Sequence, residues 1–221
     1  MTAELRQAIV ETCRAMTDRG LNHGRAGNVS VRLDDQRFLI TPSGVAYDVM
    51  QPDDLAVMTV DRTWTGRLPP SSEWRIHRDV YAARPDIGAI VHTHSTSATA
   101  VACLRQDLPA FHYMVSRAGG DSIRCAPYAT FGSQELSDHA VAALVARAAC
   151  LLANHGLIAT GATLATALEL AALVEELATV YLRARSAGAP VCLDSAEMMR
   201  VVDKWQTYGD ADSIDSDLKR T

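Results

Sequence analysis

The sequence lacks the signals of several large protein classes. It contains no uncharged apolar run of about 18 residues, so no membrane-spanning helix is expected. No run of basic residues follows the chain, and the net charge is −5, so nucleic acid is not expected as a partner. The N-terminal segment carries charges throughout and lacks the apolar core of a signal peptide. Membrane, secreted and nucleic-acid-binding proteins are therefore disfavoured.

Cysteine and lysine are also scarce. The five cysteines are scattered and form no CxxC pair, which is typical of reduced thiols in a cytoplasmic protein. Only one lysine, Lys204, precedes the last few residues, so a buried lysine nucleophile of the Schiff-base type has little support. The cysteines are Cys13, Cys103, Cys125, Cys150 and Cys192.

The pattern of apolar residues predicts one α/β domain. A chain of 221 residues that is 48% hydrophobic can bury a substantial core, and no repeat or linker divides it. We expect the domain over 1–208 and a mobile, polar, acidic tail over 209–221. Helices are predicted over 3–19, 73–84, 95–104, 134–147, 164–185 and 194–205. Strands are predicted over 29–33, 38–41, 55–60, 87–91, 111–115, 123–126 and 151–154.

Three histidines form the first candidate site. His92 and His94 end a predicted buried strand, where residues two apart point to the same face. His155 follows another short apolar run and would also lie beside a turn. Three histidines with an open fourth position are typical of a catalytic zinc site. An isolated histidine is more often an ordinary core or surface residue, however, and spacing alone does not join His155 to the pair.

The segment around Glu73 forms the second candidate site. Ser71 or Ser72 is predicted to cap the following helix, whose free backbone N–H groups and dipole suit a phosphate. The same residues also fit a plain helix cap with no chemistry. His77 follows Glu73 by one helical turn and is a possible supporting partner. His23, His112 and His139 are interpreted as structural or exposed.

Taken together, these segments resemble the class II aldolase and adducin family, most closely its L-fuculose-1-phosphate aldolase branch. The resemblance runs from about residue 4 to residue 209. It is carried by GNVSVR at 27–32, LITPSG at 39–44, LPPSSEWR at 68–75, VHTH at 91–94, PAFHYM at 109–114, CAPYATFG at 125–132 and NHGLIA at 154–159.

The resemblance implies a three-layer α/β/α sandwich with a largely antiparallel sheet, assembled as a homotetramer with active sites at the interfaces. It implies one Zn²⁺ per subunit, held by His92, His94, His155 and Glu73. It also implies that Glu73 is the catalytic base and that Tyr113 is an acid contributed by a neighbouring subunit. The implied phosphate pocket comprises Asn28, Ser43, Gly44, Ser71 and Ser72, and Tyr208 would close over the site.

The implied reaction is zinc-dependent cleavage of a sugar 1-phosphate, by default L-fuculose 1-phosphate, to dihydroxyacetone phosphate and L-lactaldehyde. Ribulose, 5-deoxyribulose and methylthioribulose 1-phosphates remain alternative substrates. Ser43 stands where this branch often has threonine, which leaves the aldehyde specificity open.

Three further alternatives are an L-ribulose-5-phosphate 4-epimerase, a methylthioribulose-1-phosphate dehydratase and a non-catalytic adducin-like scaffold. Glu73 disfavours the epimerase, which typically has aspartate there, and the segments containing Tyr113 and Tyr128 disfavour the dehydratase. A scaffold has no need of the three histidines.

Overall fold

An eight-stranded sheet forms the centre of the protein in a computed structural model that describes residues 2–208. The tail predicted over 209–221 lies outside the described residues. The strands follow the order β4-β3-β2-β1-β5-β8-β7-β6, and every pair is antiparallel except β6 with β7. They are β1 Asn28–Arg32, β2 Arg37–Ile40, β3 Ala56–Thr59, β4 Trp64–Thr65, β5 Ala89–Thr93, β6 Cys125–Ala126, β7 Ala149–Leu152 and β8 Gly156–Gly161.

Helices cover both faces of this sheet, so the predicted three-layer sandwich is confirmed. Helices α1, α3 and α5 pack on one face, and α2 and α4 pack on the other. Among residues 2–208, no helix is long and apolar enough to cross a membrane. The helices are α1 Thr2–Asp18, α2 Trp74–Ala83, α3 Thr96–Cys103, α4 Gln134–Ala143, α5 Leu164–Ala187 and α6 Ser195–Gln206, and short 3-10 helices span Pro52–Asp54 and Tyr113–Ala118.

The alternation of side chains along β1 and β5 decides which face carries the polar residues. Val29 in β1 and Val91 in β5 point into the core shared with α1, α3 and α5. Their neighbours in sequence therefore point toward α2. Asn28 lies opposite His92 in the antiparallel pairing of the two strands. The register thus brings two buried polar side chains together under the start of α2.

Two features of the middle of the chain differ from the sequence prediction. The strand predicted over 111–115 is wrong, because the 3-10 helix Tyr113–Ala118 begins there, where His112 Nδ1 accepts a hydrogen bond from the Met114 backbone N–H. Strand β8 was not predicted, because a short apolar run between two turns has no periodicity that separates strand from helix. The remaining predicted elements lie within a few residues of observed ones.

The start of α2 also differs in detail. Neither Ser71 nor Ser72 is the residue that immediately precedes the helix; that position is Glu73. The Glu73 backbone N–H donates to Ser71 Oγ over 3.3 Å. Ser71 therefore caps the turn that leads into the helix, and the Glu73 side chain is left to project from the helix start.

Candidate active site

Four side chains from three parts of the fold meet at one point. Glu73 precedes α2, His92 belongs to β5, His94 follows β5, and His155 lies in the turn between β7 and β8. One potential ligand atom from each lies within 4.8 Å of the other three. His94 Nε2 is 3.0 Å from His92 Nε2, and the three imidazole rings pack edge to face. The structure thus brings together the four residues predicted to bind a metal.

The backbone around His155 explains how this residue reaches the pair. Strands β7 and β8 form a tight hairpin, in which Asn154 adopts a positive φ of 55°. Gly156 follows, and a Cβ atom there would lie 2.3 Å from the Thr93 carbonyl oxygen and 3.0 Å from the His94 ring. Only glycine therefore lets the turn approach the end of β5 closely enough to place His155 in the cluster.

The orientation of His92 fixes which of its nitrogens faces the other ligands. Its Nδ1 donates a hydrogen bond to the Leu157 carbonyl over 2.9 Å. A neutral ring with hydrogen on Nδ1 presents a lone pair at Nε2. That lone pair lies 3.1 Å from Glu73 Oε2, so two acceptors face each other unless a proton or a cation lies between them.

Glu73 is nearly buried, with 7% of its surface exposed. Its Oε2 accepts a hydrogen bond from Asn28 Nδ2 over 2.9 Å. Its Oε1 lies 3.2 Å from His155 Nε2 but has no hydrogen-bond partner among the described residues. Burial opposes ionisation, yet the adjacent His92, together with His155 and Asn28, holds the pKa of Glu73 well below its usual range. The site therefore contains a buried anion.

The three histidines have different proton affinities in the metal-free site. Burial opposes protonation of His92, but the Glu73 carboxylate and the Leu157 carbonyl raise its pKa above the ordinary value. Burial, with the charge of His92, lowers the pKa of His94 to about 3 and that of His155 to about 4. At neutral pH His94 and His155 are thus neutral, as metal ligation requires.

The donor set fits a divalent metal ion. Imidazole nitrogens and carboxylate oxygens are the ligands that catalytic zinc takes in proteins. The unpartnered Glu73 Oε1 and the facing lone pair of His92 are what a cation would satisfy. His92, His94, His155 and Glu73 are therefore the residues that would hold it.

A cavity of about 150 Å³ adjoins this cluster. It is lined by hydroxyl, amide and backbone groups rather than by a concentration of cations. Gly44 has a φ of 72° and no atom within 4 Å of the position of an added Cβ, so its backbone faces open space. The lining includes the five residues predicted to bind phosphate, which are Asn28, Ser43, Gly44, Ser71 and Ser72, beside Glu73, His94 and His155.

The two predicted tyrosines lie elsewhere. Neither Tyr113 nor Tyr208 lines the cavity beside the histidines. Both line a different cavity of about 560 Å³, where Trp205 lies between them, with ring centroids 6.2 Å from Tyr113 and 5.1 Å from Tyr208. Tyr113 is 46% exposed and Tyr208 is 73% exposed. Their predicted roles stay predictions.

The structure adds residues that the sequence prediction did not assign to the site. Arg25 and Phe131 line the same cavity as the predicted phosphate residues. Both lie inside or beside segments that carried the family resemblance, and this proximity is the signal that could have found them. His77, considered as a supporting partner of Glu73, contacts Asn28 Oδ1 through its Nε2 over 2.5 Å, and Asn28 in turn donates to Glu73.

Known proteins match this chain over nearly its whole length. A family model described as Class II Aldolase and Adducin N-terminal domain matches residues 7–182. A 5-methylthioribulose-1-phosphate/5-deoxyribulose-1-phosphate aldolase from Rhodospirillum rubrum is 52% identical, covering 93% of each chain. An L-fuculose phosphate aldolase from Escherichia coli K12 is 46% identical, covering 93% of this chain and 96% of its own.

A solved structure of an L-fuculose 1-phosphate aldolase has the same fold. It superposes with a TM-score of 0.89 at 38% identity, covering 92% of this chain and 96% of that one. The chain therefore belongs to the class II aldolase and adducin family. Within that family it is an enzyme, a metal-dependent aldolase.

Proposed function

We propose that the protein cleaves a ketose 1-phosphate into dihydroxyacetone phosphate and a short aldehyde, using one Zn²⁺ per subunit. The observation that carries this proposal is the cluster of Glu73 and three histidines next to a cavity lined by Ser43, Ser71 and Ser72. A carbon–carbon bond breaks in this reaction, and negative charge develops on the phosphate-bearing fragment. A divalent cation, when bound, supplies Lewis-acid stabilisation of that charge.

Residues of the chain bind the phosphate and transfer the protons. Asn28, Ser43, Gly44, Ser71 and Ser72 hold the phosphate and so orient the bond that breaks. Glu73 delivers a proton to the carbon that becomes the hydroxymethyl group of dihydroxyacetone phosphate. Tyr113 of a neighbouring copy takes the proton from the hydroxyl that becomes the aldehyde oxygen. In each turnover one hydroxyl proton is lost and one C–H bond is formed, so the reaction balances without another reactant.

Two substrate classes are supported by the relatives. The Rhodospirillum rubrum relative at 52% identity is named for 5-methylthioribulose and 5-deoxyribulose 1-phosphates, and these are the substrates we propose first. L-fuculose 1-phosphate, the default from the sequence, is the second candidate because the Escherichia coli relative is 46% identical. The two classes share the phosphate-bearing half and differ at the aldehyde end.

The proposed assembly is a homotetramer with shared active sites. What supports it is that Tyr113, Trp205 and Tyr208 line a different cavity from the one beside the histidine cluster. A tyrosine there serves catalysis only if a second copy brings it to the cavity beside the histidines. A cytoplasmic location stays a prediction, supported by the five free cysteines.

The test is release of dihydroxyacetone phosphate from each of the three ketose 1-phosphates. Release should stop with a chelator and return with added zinc, and metal content should be about one ion per subunit. His155→Ala should lose both metal and activity, whereas His139→Ala, a histidine outside the cluster, should lose neither.

The other outcomes separate the alternatives. If the protein bound zinc and cleaved none of the three ketose 1-phosphates, but epimerised L-ribulose 5-phosphate, the epimerase would replace the proposed cleavage reaction. If the protein bound no metal and released no dihydroxyacetone phosphate, the proposed function would be overturned and a scaffold favoured.

A further inference from the structure

A line of buried hydrogen bonds leads away from Glu73 into the protein. Asn28 Nδ2 contacts Glu73 Oε2 at 2.9 Å, and Asn28 Oδ1 contacts His77 Nε2 at 2.5 Å. His77 Nδ1 lies 2.6 Å from Ser30 Oγ, which lies 2.8 Å from the Tyr81 hydroxyl. These five residues, called here the buried chain, connect the proposed metal centre to the far end of α2.

Secondary structure places the buried chain in register. Asn28 and Ser30 are two residues apart on β1, so both point toward α2. Glu73, His77 and Tyr81 are four residues apart at the start and along one face of α2. The five exposed fractions lie between 0% and 7%. Solvent therefore does not replace any of these bonds, and each polar atom depends on its partner.

The far end of the buried chain is closed as well. The Tyr81 ring packs against Phe38 at 5.3 Å, and Arg32 lies over the ring at 4.6 Å. The Arg32 guanidinium is itself held by the carbonyl oxygens of Tyr81, Arg84 and Ile87. This end is thus a fixed anchor rather than an opening to solvent.

The ionised carboxylate sets the direction of the bonds nearest to it. A carboxylate only accepts hydrogen bonds, so the Asn28 amide nitrogen donates to Glu73. The amide oxygen then faces His77, and His77 Nε2 has to carry a hydrogen. Burial, with the charge of His92, lowers the pKa of His77 to about 3, so the ring is neutral at pH 7.

The hydrogen on His77 Nε2 also sets the direction of the next two hydrogen bonds. A neutral imidazole with hydrogen on Nε2 accepts at Nδ1, so the Ser30 hydroxyl donates to it. The only hydroxyl hydrogen of Ser30 is then used, and the Tyr81 hydroxyl donates to Ser30. All four bonds therefore point the same way, toward Glu73.

This arrangement holds groups in place and does not carry protons. The Asn28 amide interrupts the line, because an amide nitrogen does not readily release its hydrogen to a carboxylate. The proton that Glu73 handles in the proposed reaction must therefore pass through the cavity. What the buried chain controls is the orientation of Asn28. If its amide turned over, its oxygen would face the Glu73 carboxylate, and two acceptors would repel.

We propose that His77 is a positioning residue: by donating from Nε2, it fixes the Asn28 amide so that both of its N–H groups face the site. One of these N–H groups holds Glu73 Oε2, and Asn28 also lines the cavity, where the other meets the substrate. The role rests on the proposed function, in which Glu73 is a metal ligand and the base.

The first test reads the hydrogen on His77 directly. Nuclear magnetic resonance of zinc-loaded protein with ¹⁵N-labelled histidine, at pH 7, should show His77 neutral with its hydrogen on Nε2. His77→Gln identifies the signal by its disappearance, and Tyr81→Phe should leave the tautomer unchanged. Hydrogen on Nδ1, or a protonated ring, would overturn the proposal.

The second test compares two replacements of similar size. Glutamine keeps a donor near the position of Nε2, and leucine has none. His77→Leu should weaken zinc binding and lower kcat by about 10- to 100-fold, the usual effect of losing a partner behind a metal ligand. His77→Gln should recover most of both. Tyr81→Phe, which removes a buried hydroxyl but leaves Ser30 free to donate, should stay close to the wild type.

Equal losses of zinc affinity and kcat in the glutamine and leucine variants, at equal thermal stability, would show that His77 acts only through packing and would overturn the proposal. Losses in Tyr81→Phe as large as those in His77→Leu would also overturn it. Zinc affinity is measured without turnover. A protein that cleaves none of the ketose phosphates would therefore contradict the proposed function, while the zinc affinities of the variants would still test the role of His77.

Discussion

Close approach of backbone atoms makes Gly156 a sensitive position at the residue scale. Its missing Cβ is what lets the Thr93 carbonyl and the His94 ring lie against the turn that carries His155. A methyl group there meets backbone, which cannot move aside as a flexible side chain does. The turn would have to shift, and His155 would shift with it.

We therefore expect Gly156→Ala to weaken zinc binding at least about tenfold and to destabilise the fold by about 1–3 kcal/mol, as overpacking does. Competition with a chromogenic chelator and thermal unfolding measure the two effects. Gly188→Ala is the matched control, because nothing lies within 4 Å of its added Cβ. Unchanged zinc affinity in Gly156→Ala would contradict the account of the turn.

At the scale of elements, α3 is held at its start by a side chain of α5. Both oxygens of Glu175 accept backbone N–H bonds, from Ser97 and from Ala98, at 2.8 Å each. The first turn of α3 follows His94 directly, and its unpaired N–H groups need acceptors. Glu175 thus links α5 to the segment that contains His92 and His94, two of the proposed metal ligands.

Glu175→Ala should lower the free energy of unfolding by about 1–2 kcal/mol, as the loss of a helix cap does. Urea denaturation of the zinc-free protein measures this loss without interference from metal binding. Glu176→Ala removes the neighbouring, exposed carboxylate and should change the free energy little. Equal losses in the two variants would argue against the capping role.

Asp79 links the two helices on the other face of the sheet. It accepts hydrogen bonds from Arg78 within α2 and from Ser137 and Gln134 in α4. Burial opposes its ionisation, but these three hydrogen bonds and the charge of Arg78 lower its pKa below the usual value. A depressed folded-state pKa adds stability above the pKa of the unfolded chain and loses it as pH falls through the folded value.

Asp79→Asn should therefore cost about 1 kcal/mol at pH 7, a modest value because the group is partly exposed. The difference from the wild type should persist at higher pH and shrink below about pH 4, the pKa of an unperturbed aspartate. Urea denaturation at pH 7 and pH 3.5 checks both points. Asp203→Asn, in exposed α6, serves as control, and a cost that grows on acidification would contradict the sign of the shift.

For the whole molecule, the separation of Tyr113 from the metal cluster has a direct consequence. If copies share their sites as proposed, each site combines Glu73 of one subunit with Tyr113 of its neighbour. A variant of either residue then removes a different contribution to the site. Glu73→Gln and Tyr113→Phe should each be nearly inactive alone. Oligomers formed by refolding the two together should regain activity, because some sites then contain both intact residues.

Dihydroxyacetone phosphate release from the mixed oligomers checks this, and the same variants assayed without mixing are the control. Proven mixed oligomers that stay inactive would place both residues in the site of one chain. That result would contradict the sharing of sites without affecting the assignment to the family.

The sequence predicted this architecture better than it predicted how distant residues meet. The spacing of His92 and His94 indicated a shared face, because strand periodicity is local. The link to His155 depends on a tight hairpin, and residue spacing contains no distance between strands; only the family resemblance joined the three. His77 was considered as a supporting partner of Glu73, but its route through Asn28 could not be predicted, because that contact depends on how β1 lies under α2. The predicted strand over 111–115 failed because the His112 side chain favours a local turn over extended structure.

The position of the proposed metal ligands in the sheet bears on how the protein loses its structure. Strands β1, β5 and β8 are paired on both sides, whereas the edges are the two-residue strands β4 and β6. Fraying begins where backbone pairing is least, so amide protons should exchange with solvent first at those edges and last around His92. Partial opening would then leave the proposed metal centre assembled, and inactivation by heat or urea should coincide with global unfolding rather than precede it.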